Sequence, residues 1–487
     1  MKIFNSMSKM KEEFVPLHEN EVNMYACGIT VYDLSHIGHA RQAIVYSMFT
    51  DYFRYKGYKV KYVRNYTDVD DKIIQRANDL NENALEFSER QIRETEKDIE
   101  GLHITNADVN TKASEYIKKI IDFIDDLIKK DYAYVTDKGD VYYRVKKFKH
   151  YGKLSHRKVD DMLNGVRKEL EEGKEEPEDF ALWKSAKPNE ISWDSPWGKG
   201  RPGWHIECSV MATDTLGETI DIHGGGRDLI FPHHENEIAQ SEAKTGKEFA
   251  KYWSHCGLIK INGEKMSKSL GNSLTIRDAL KMYNYETIKY LFHSKHYGTD
   301  IDIKDEDYIL AEKQMYYFYN SIENMEKYIE QYNGNKEGEK LGDDISNNIK
   351  TDFINAMDDD FNTPVAISNL YLIFKYANNI LKESNKGNRT QTANTLANIL
   401  FEVKDAYKIL GFFTQKPSDF IKELKLKYLN KLNMNEEEIE QLINKRKDAK
   451  KDKNFEEADK IRNKLDSKGI ILNDTIEGTI WDIKELY

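Results

Sequence analysis

Residues Val22-Asn23-Met24-Tyr25-Ala26-Cys27 alternate between apolar and polar and stop at Gly28, which predicts a strand feeding a loop. Ala40, Ala43, Ile44, Met48, Tyr52 and Tyr55 then recur at helical spacing until Gly57 supplies a stop, and Val60-Lys61-Tyr62-Val63 reads as the next strand. Strand, helix and strand make a βαβ unit, so the segment from Cys27 to His39 lies where such units bind ligands, beyond the carboxyl ends of the strands. From 83 to 187 the pattern turns charged and mostly helical, broken by a hairpin-like Tyr132-Ala133-Tyr134-Val135 and Val141-Tyr142-Tyr143 with Gly139 in the turn. This stretch reads as an insertion. Apolar patterning resumes with a helix over 205–216 and another beginning at Pro232 and ending at Gly246. Leu258-Ile259-Lys260-Ile261 runs into Asn262-Gly263, a hairpin signal. Beyond 275 the chain reads as almost wholly helical, with Ile367, Leu370, Phe374, Ala377, Ile380 and Leu381 on one face after a Thr363-Pro364 start. A bundle is expected there, with a last boundary near Pro417.

Length and composition sharpen this picture. With 487 residues the chain is long enough for several cores. No signal-peptide core or long apolar run is present, so a cytoplasmic protein without membrane attachment is expected. Three cysteines, Cys27, Cys208 and Cys256, argue against a disulfide framework and leave metal ligation, reactivity or burial open. The net charge of −11 does not exclude a nucleic-acid partner, because charge is uneven: residues 445–468 hold ten basic against six acidic side chains.

Candidate chemistry comes from short motifs. His36-Ile37-Gly38-His39 sits where the first strand gives way to the first helix, offering two imidazoles and a helix N-terminus to an anion. Lys265-Met266-Ser267-Lys268-Ser269 follows the Asn262-Gly263 turn and brings two lysines within reach of phosphates. Spacing alone favours buried structural cysteines over a metal site. His233 and Glu237, at i and i+4, share a helix face, and Cys208 lies early in a helix, where the thiolate is favoured. Three look-alikes fail. Gly198-Lys199-Gly200-Arg201-Pro202-Gly203 follows no buried strand, His233-His234-Glu235-Asn236-Glu237 lacks a histidine at 238 for a zinc-protease motif, and Gly224-Gly225-Gly226 lacks a following G-K-[ST]. The three glycines are expected to allow close approach of a ligand to the backbone.

The 36–39 and 265–269 motifs resemble the HIGH and KMSKS signatures of class I aminoacyl-tRNA synthetases. The blocks 26–33, 203–209, 224–237 and 356–364, with 68–71, 181–184 and 477–481, are similar to those of the cysteinyl-tRNA synthetases. The resemblance runs from the first strand to the C-terminus. It implies an α/β fold with a Rossmann-type parallel-sheet catalytic domain (first half 1–115, second half 201–246). A connective insertion (116–200), a KMSKS-bearing junction (247–315), a helical bundle (316–415) and a small anticodon-binding domain (416–487) are implied with it. It implies one Zn2+ on Cys27, Cys208, His233 and Glu237 that selects L-cysteine as its thiolate. ATP would be bound by His36, Gly38, His39 and Lys268, with Mg2+, and Lys265 in a secondary catalytic role. Gly28, Thr67, Trp204 and Asp228 would contact the amino acid. The second substrate would be tRNA(Cys), its anticodon read by Lys450, Asp459, Asp474 and Trp481, with Phe455 also placed to stack on bases, and the chain would act as a monomer. Position 450 departs from the family, where Arg is more frequent. Three rivals are a ligase that passes activated cysteine to an amino sugar, a catalytically silent RNA-binding paralogue, and a zinc hydrolase. The first has no use for residues 421–487, the second should carry broken signatures, and the third needs fewer thiolates around its metal.

Overall fold

The computed structural model describes residues 1–157, 173–188, 190–261, 263–265, 273–342, 344–384, 387–475 and 478–486. The chain divides into two compact units, residues 1–282 with 295–303 and 356–362, and residues 283–294 with 304–355 and 363–487.

The first unit is built on strand β1 (Glu21–Thr30), helix α1 (Ile37–Tyr55), strand β2 (Lys59–Thr67) and strand β3 (Val109–Lys112). Helix α2 (Trp204–Leu216), strand β4 (Ile220–Gly226), helix α3 (Glu235–Thr245) and strand β5 (Ala250–Cys256) complete it. The five strands form one parallel sheet in the order β5-β4-β1-β2-β3. Chain order reverses between β1 and β4, and the crevice at that switch point is where open parallel sheets bind their ligands. Gly57, at φ +92, ends α1 as its position in the pattern predicts.

Several expectations need correction. Gly28 does not end the first strand, which continues to Thr30 across a bulge. Not all of 83–187 is inserted, because Val109–Lys112 pairs with β2 and belongs to the parallel sheet. The 132–143 hairpin forms, as Ala133–Val135 on Val141–Tyr143, and continues into an antiparallel sheet with Phe180–Ser185 and Gly200–Pro202. Pro232 does not begin α3: a separate turn spans Ile230–His234, with Phe231 in extended backbone, and α3 starts at Glu235. The space beside Gly224 is filled by Tyr46 of α1, whose hydroxyl donates to the carbonyls of Ser254 and Gly225. That glycine admits the protein's own side chain and not a ligand.

The second unit contains α4 (Tyr285–His293), α5 (Asp305–Gln331), α6 (Thr363–Glu383), α7 (Arg389–Tyr407) and α8 (Pro417–Lys431). On α6, Ile367, Leu370, Phe374 and Ala377 are buried, and Tyr319 of α5 stacks on Phe420 of α8 at 4.1 Å. Buried Glu286 accepts from the amides of Phe413 and Thr414 and from Tyr319 Oη, closing the loop before α8. The tail adds α9 (Glu436–Lys451), α10 (Phe455–Ser467) and, in a region expected to be almost wholly helical, a hairpin of β6 (Ile470–Thr475) and β7 (Gly478–Ile483).

Candidate functional site

Cys27 lies in the β1 bulge, Cys208 in the first turns of α2, His233 in the turn before α3, and Glu237 one helical turn later. The fold brings together residues more than 200 positions apart. All four are no more than 2% exposed, and one donor atom from each lies within 4.8 Å of the others. Glu237 Oε1 is 3.3 Å from Cys27 Sγ and 3.0 Å from His233 Nε2. A tetrahedral ion with bonds of about 2.0–2.3 Å has donor–donor edges of roughly 3.3–3.8 Å, so these residues fit a zinc-like centre after small adjustments.

The electrostatics point the same way. Burial opposes the charged form of His233, yet Glu237 and Cys208 outweigh it and raise the imidazole to about 10. Burial also pushes Cys208 up, but hydrogen bonding from Cys27 and the nearby His233 draw it down to about 6. Cys27 is pushed well above a normal thiol, chiefly by burial and then by Cys208. Burial disfavours the Glu237 carboxylate, but His223 and His233 hold it well below the usual range. A cation that displaced the Cys27 and His233 protons would offset the negative charge favoured on Cys208 and Glu237.

Neighbouring groups orient His233 and Glu237. His205 Nδ1 lies 2.9 Å from His233 Nδ1, which leaves Nε2 to face the cluster, and Trp204 stacks on His233 at 4.2 Å. His223 Nε2 is 2.8 Å from Glu237 Oε2. Cys27, His223 and His234 form a second, overlapping set of possible ligands. His223 and His234 escaped the sequence reading because His223 is one buried position in a strand and His234 was weighed only as part of a failed protease motif. Cys256 is buried, as expected of a structural cysteine, and joins neither set among the described residues.

His36 and His39 mark the start of α1. His36 Nδ1 accepts from the Gly38 amide at 3.1 Å, the His36 amide donates to His39 Nδ1 at 3.3 Å, and the rings stack at 3.7 Å. Both imidazoles thus cap the helix N-terminus, where its dipole favours an anion. Lys268 and the side chain of Lys265 lie outside the described residues; from 273 onward the chain is held against the start of α1. The Ile37 amide donates to Leu274 O at 3.0 Å and the Ile276 amide to Ser35 O at 2.9 Å. Buried Arg41, which sequence reasoning missed, donates to the carbonyls of Gly257 and Leu258 and of His296, Tyr297 and Thr299. It ties α1 to the root of the lysine-bearing hairpin, Ile259–Ile261 with Glu264–Lys265. The only hint in sequence was an arginine placed among the apolar positions of a mostly buried helix.

Of the expected amino-acid contacts, Thr67 is buried opposite Thr30 of β1, Trp204 is 37% exposed over His233, and Asp228 is exposed just after β4. In the second unit, Asp474 accepts from both Nη1 and Nη2 of Arg446, at 2.8 and 2.9 Å, and from Lys450 Nζ at 2.8 Å. Lys450 and Asp474 are therefore paired with each other, Asp459 is exposed, and Lys425 lies over the Trp481 ring at 4.6 Å.

Residues 13–313 match the family described as tRNA synthetases class I (C) catalytic domain, and 352–414 match the DALR domain. A cysteine–tRNA ligase of Thermodesulfovibrio yellowstonii is 47% identical over 490 residues, covering 99% of this chain and 100% of that one. One from Thermococcus onnurineus is 45% identical over 485 residues, covering 99% and 98%. Among solved structures, Mycobacterium tuberculosis methionyl-tRNA synthetase with methionyl-adenylate shares the fold at a TM-score of 0.62 and 14% identity, over 86% of this chain and 94% of that one.

Proposed function

Because this chain belongs to the cysteine–tRNA ligase family of class I aminoacyl-tRNA synthetases, we propose that its Cys27, Cys208, His233 and Glu237 cluster holds zinc and uses it to choose the amino acid. The protein is a ligase that activates L-cysteine with ATP and transfers it to tRNA. The observation that carries the zinc reading is the convergence of four buried donor atoms of zinc's preferred types. Bound there, zinc supplies a soft centre that takes a thiolate and leaves the neutral hydroxyl of serine behind. Glu237 has a second partner in His223, which would hold its carboxylate if a substrate thiolate took its place. Gly28, Thr67, Trp204 and Asp228 frame the amino acid.

In adenylation the cysteine carboxylate attacks the α-phosphorus of ATP and pyrophosphate leaves. His36 and His39 present their rings to the phosphates and Gly38 lets them approach the backbone, Lys268 stabilises the charge that develops on them, Lys265 assists, and Mg2+ accompanies the triphosphate. The anchoring of Leu274 and Ile276 on the His36 segment supports this arrangement. Lys268 is six residues before Leu274, within roughly 20 Å of extended chain. Transfer to the 3′ end of tRNA(Cys) completes the reaction. Within this proposal residues 116–200 form the connective insertion and 247–315 the junction that carries the lysines. Lys450, Asp459, Asp474, Trp481 and Phe455 face the anticodon, and the protein works as a cytoplasmic monomer, an assignment that sedimentation tests directly.

The deciding experiment is amino-acid-dependent exchange of pyrophosphate into ATP by the zinc-loaded protein. Exchange with cysteine and none above background with serine is the expected result; equal exchange with both overturns the selection mechanism.

A further inference from the structure

Strands β1 and β2 lose register at the metal cluster, and two side chains compensate. Ala26 pairs with Arg64 and Ile29 with Tyr66, so Cys27 and Gly28 together stand opposite Asn65. The peptide that joins Cys27 to Gly28 finds its partners in side chains instead of the ladder. Gln42 Nε2, from α1, donates to the Cys27 carbonyl at 2.6 Å, and the Gly28 amide donates to Asn65 Oδ1 at 2.8 Å. With Oδ1 engaged by an N–H, the Asn65 amide can face only one way, and its Nδ2 donates to Thr67 Oγ1 at 3.4 Å. Asn65 is 1% exposed, so no solvent can replace these bonds. The strands approach so closely that a Cβ on Gly28 would come within 1.6 Å of the Asn65 carbonyl oxygen.

The tilt of the 27–28 peptide sets the direction of the Cα–Cβ bond of Cys27. We propose that Asn65 is a specificity-positioning residue: with Gln42 it clamps the Cys27–Gly28 peptide, aims Cys27 Sγ at the metal, and fixes Gly28 and Thr67 as one wall of the cysteine pocket. This inference rests on the reading of Cys27 as a metal ligand and of Gly28 and Thr67 as amino-acid contacts. Asn65 acts entirely through these neighbours. A residue that merely held the sheet together would affect ATP and cysteine alike, whereas this clamp acts only on the amino-acid side of the site.

The test uses the full-length, zinc-loaded chain and its Asn65→Ala and Asn65→Asp variants. Zinc release to a chelating dye, the KM values for cysteine and for ATP in pyrophosphate exchange, and the thermal midpoint are measured. Asn65→Ala is expected to speed zinc release and raise the cysteine KM about tenfold each, with the ATP KM changed less than about twofold. Asn65→Asp keeps an acceptor for the Gly28 amide but loses the donor to Thr67, so it should release zinc like the parent while its cysteine KM stays raised; it also serves if the alanine variant fails to fold. Parental zinc release and cysteine KM in Asn65→Ala, or equal shifts in both KM values in either variant, overturn the inference. A parent that holds no zinc or shows no cysteine-dependent exchange would instead overturn the functional reading beneath it.

Discussion

Cys208 is the residue on which the proposed zinc site turns, because its thiol is the one drawn down toward the thiolate at neutral pH. Serine at that position would offer a hydroxyl that stays protonated and binds zinc weakly. Cys208→Ser is therefore expected to lose its zinc, read by metal analysis of the purified protein, and with it the preference for cysteine over serine. Retained metal with normal selectivity would remove Cys208 from the ligand set. Arg41 makes a different prediction. Its guanidinium donates to two carbonyls at the root of the lysine-bearing hairpin, Gly257 and Leu258, and to three in the segment 296–299. Arg41→Met should leave zinc content and the cysteine KM unchanged while slowing adenylation, since a misplacement of about 1 Å at a charge-stabilising group can cost on the order of 100-fold. Single-turnover rates of adenylate formation would show this, and a parental rate would mean that the hairpin is held by other interactions.

At the scale of elements, α1 serves two ends with the same two rings. His36 and His39 satisfy the amides of Gly38 and of His36 at its start and also stand where the phosphates are proposed to bind. Asparagine is a good N-cap and can replace the imidazole in the first task but not the second. His36→Asn should thus keep the parental thermal midpoint while its exchange rate falls about 10- to 100-fold, near the effect of removing one transition-state donor. A large fall in midpoint with normal exchange would reverse the assignment. In the tail, the hairpin of β6 and β7 is tied to α9 by the Arg446–Asp474 pair, with Arg446 buried and Asp474 half exposed. Loss of that pair in Arg446→Met should cost about 1–2 kcal/mol of tail stability, between the small worth of surface ion pairs and the larger penalty of buried ones. Hydrogen exchange across 470–483 would report it, and unchanged protection would show that the pair contributes nothing.

At the scale of the whole molecule, a net charge of −11 has to coexist with binding of a polyanion. Local placement answers this: Lys447, Lys451 and Lys453 are exposed on α9 and the turn after it. Reversing these three charges should weaken tRNA charging and flatten its salt dependence by roughly 0.7–0.9 in log–log slope for each phosphate that is no longer neutralised. Cysteine-dependent pyrophosphate exchange should not change, because it needs no tRNA. Equal loss of both activities would mean that the lysines matter to folding. Point changes are preferable to cutting the chain at 416, because α8 packs on α5 through Phe420 and Tyr319 and a cut there would expose that core.

The local features of the fold were legible in the sequence because each depends on residues close together in the chain. Periodicity alone located β1, α1 and β2, Gly57 marked the end of α1, and the Asn262-Gly263 pair pointed to the hairpin of Ile259–Ile261 with Glu264–Lys265. Long-range pairing was not legible. Val109-Asn110-Thr111-Lys112 is too polar to read as a strand, and its pairing with β2 makes it one. The β6–β7 hairpin was hidden among helical signals for the same reason. The bulge at Cys27 and Gly28 has no sequence signature, since it arises from the mismatch between two strands and is satisfied by Gln42 and Asn65 from elsewhere. Motif resemblance named the ligands and the reaction. Tertiary structure alone decided that Cys27, Cys208, His233 and Glu237 meet within 4.8 Å, because that meeting depends on how α2 and α3 pack across the sheet and not on any spacing along the chain.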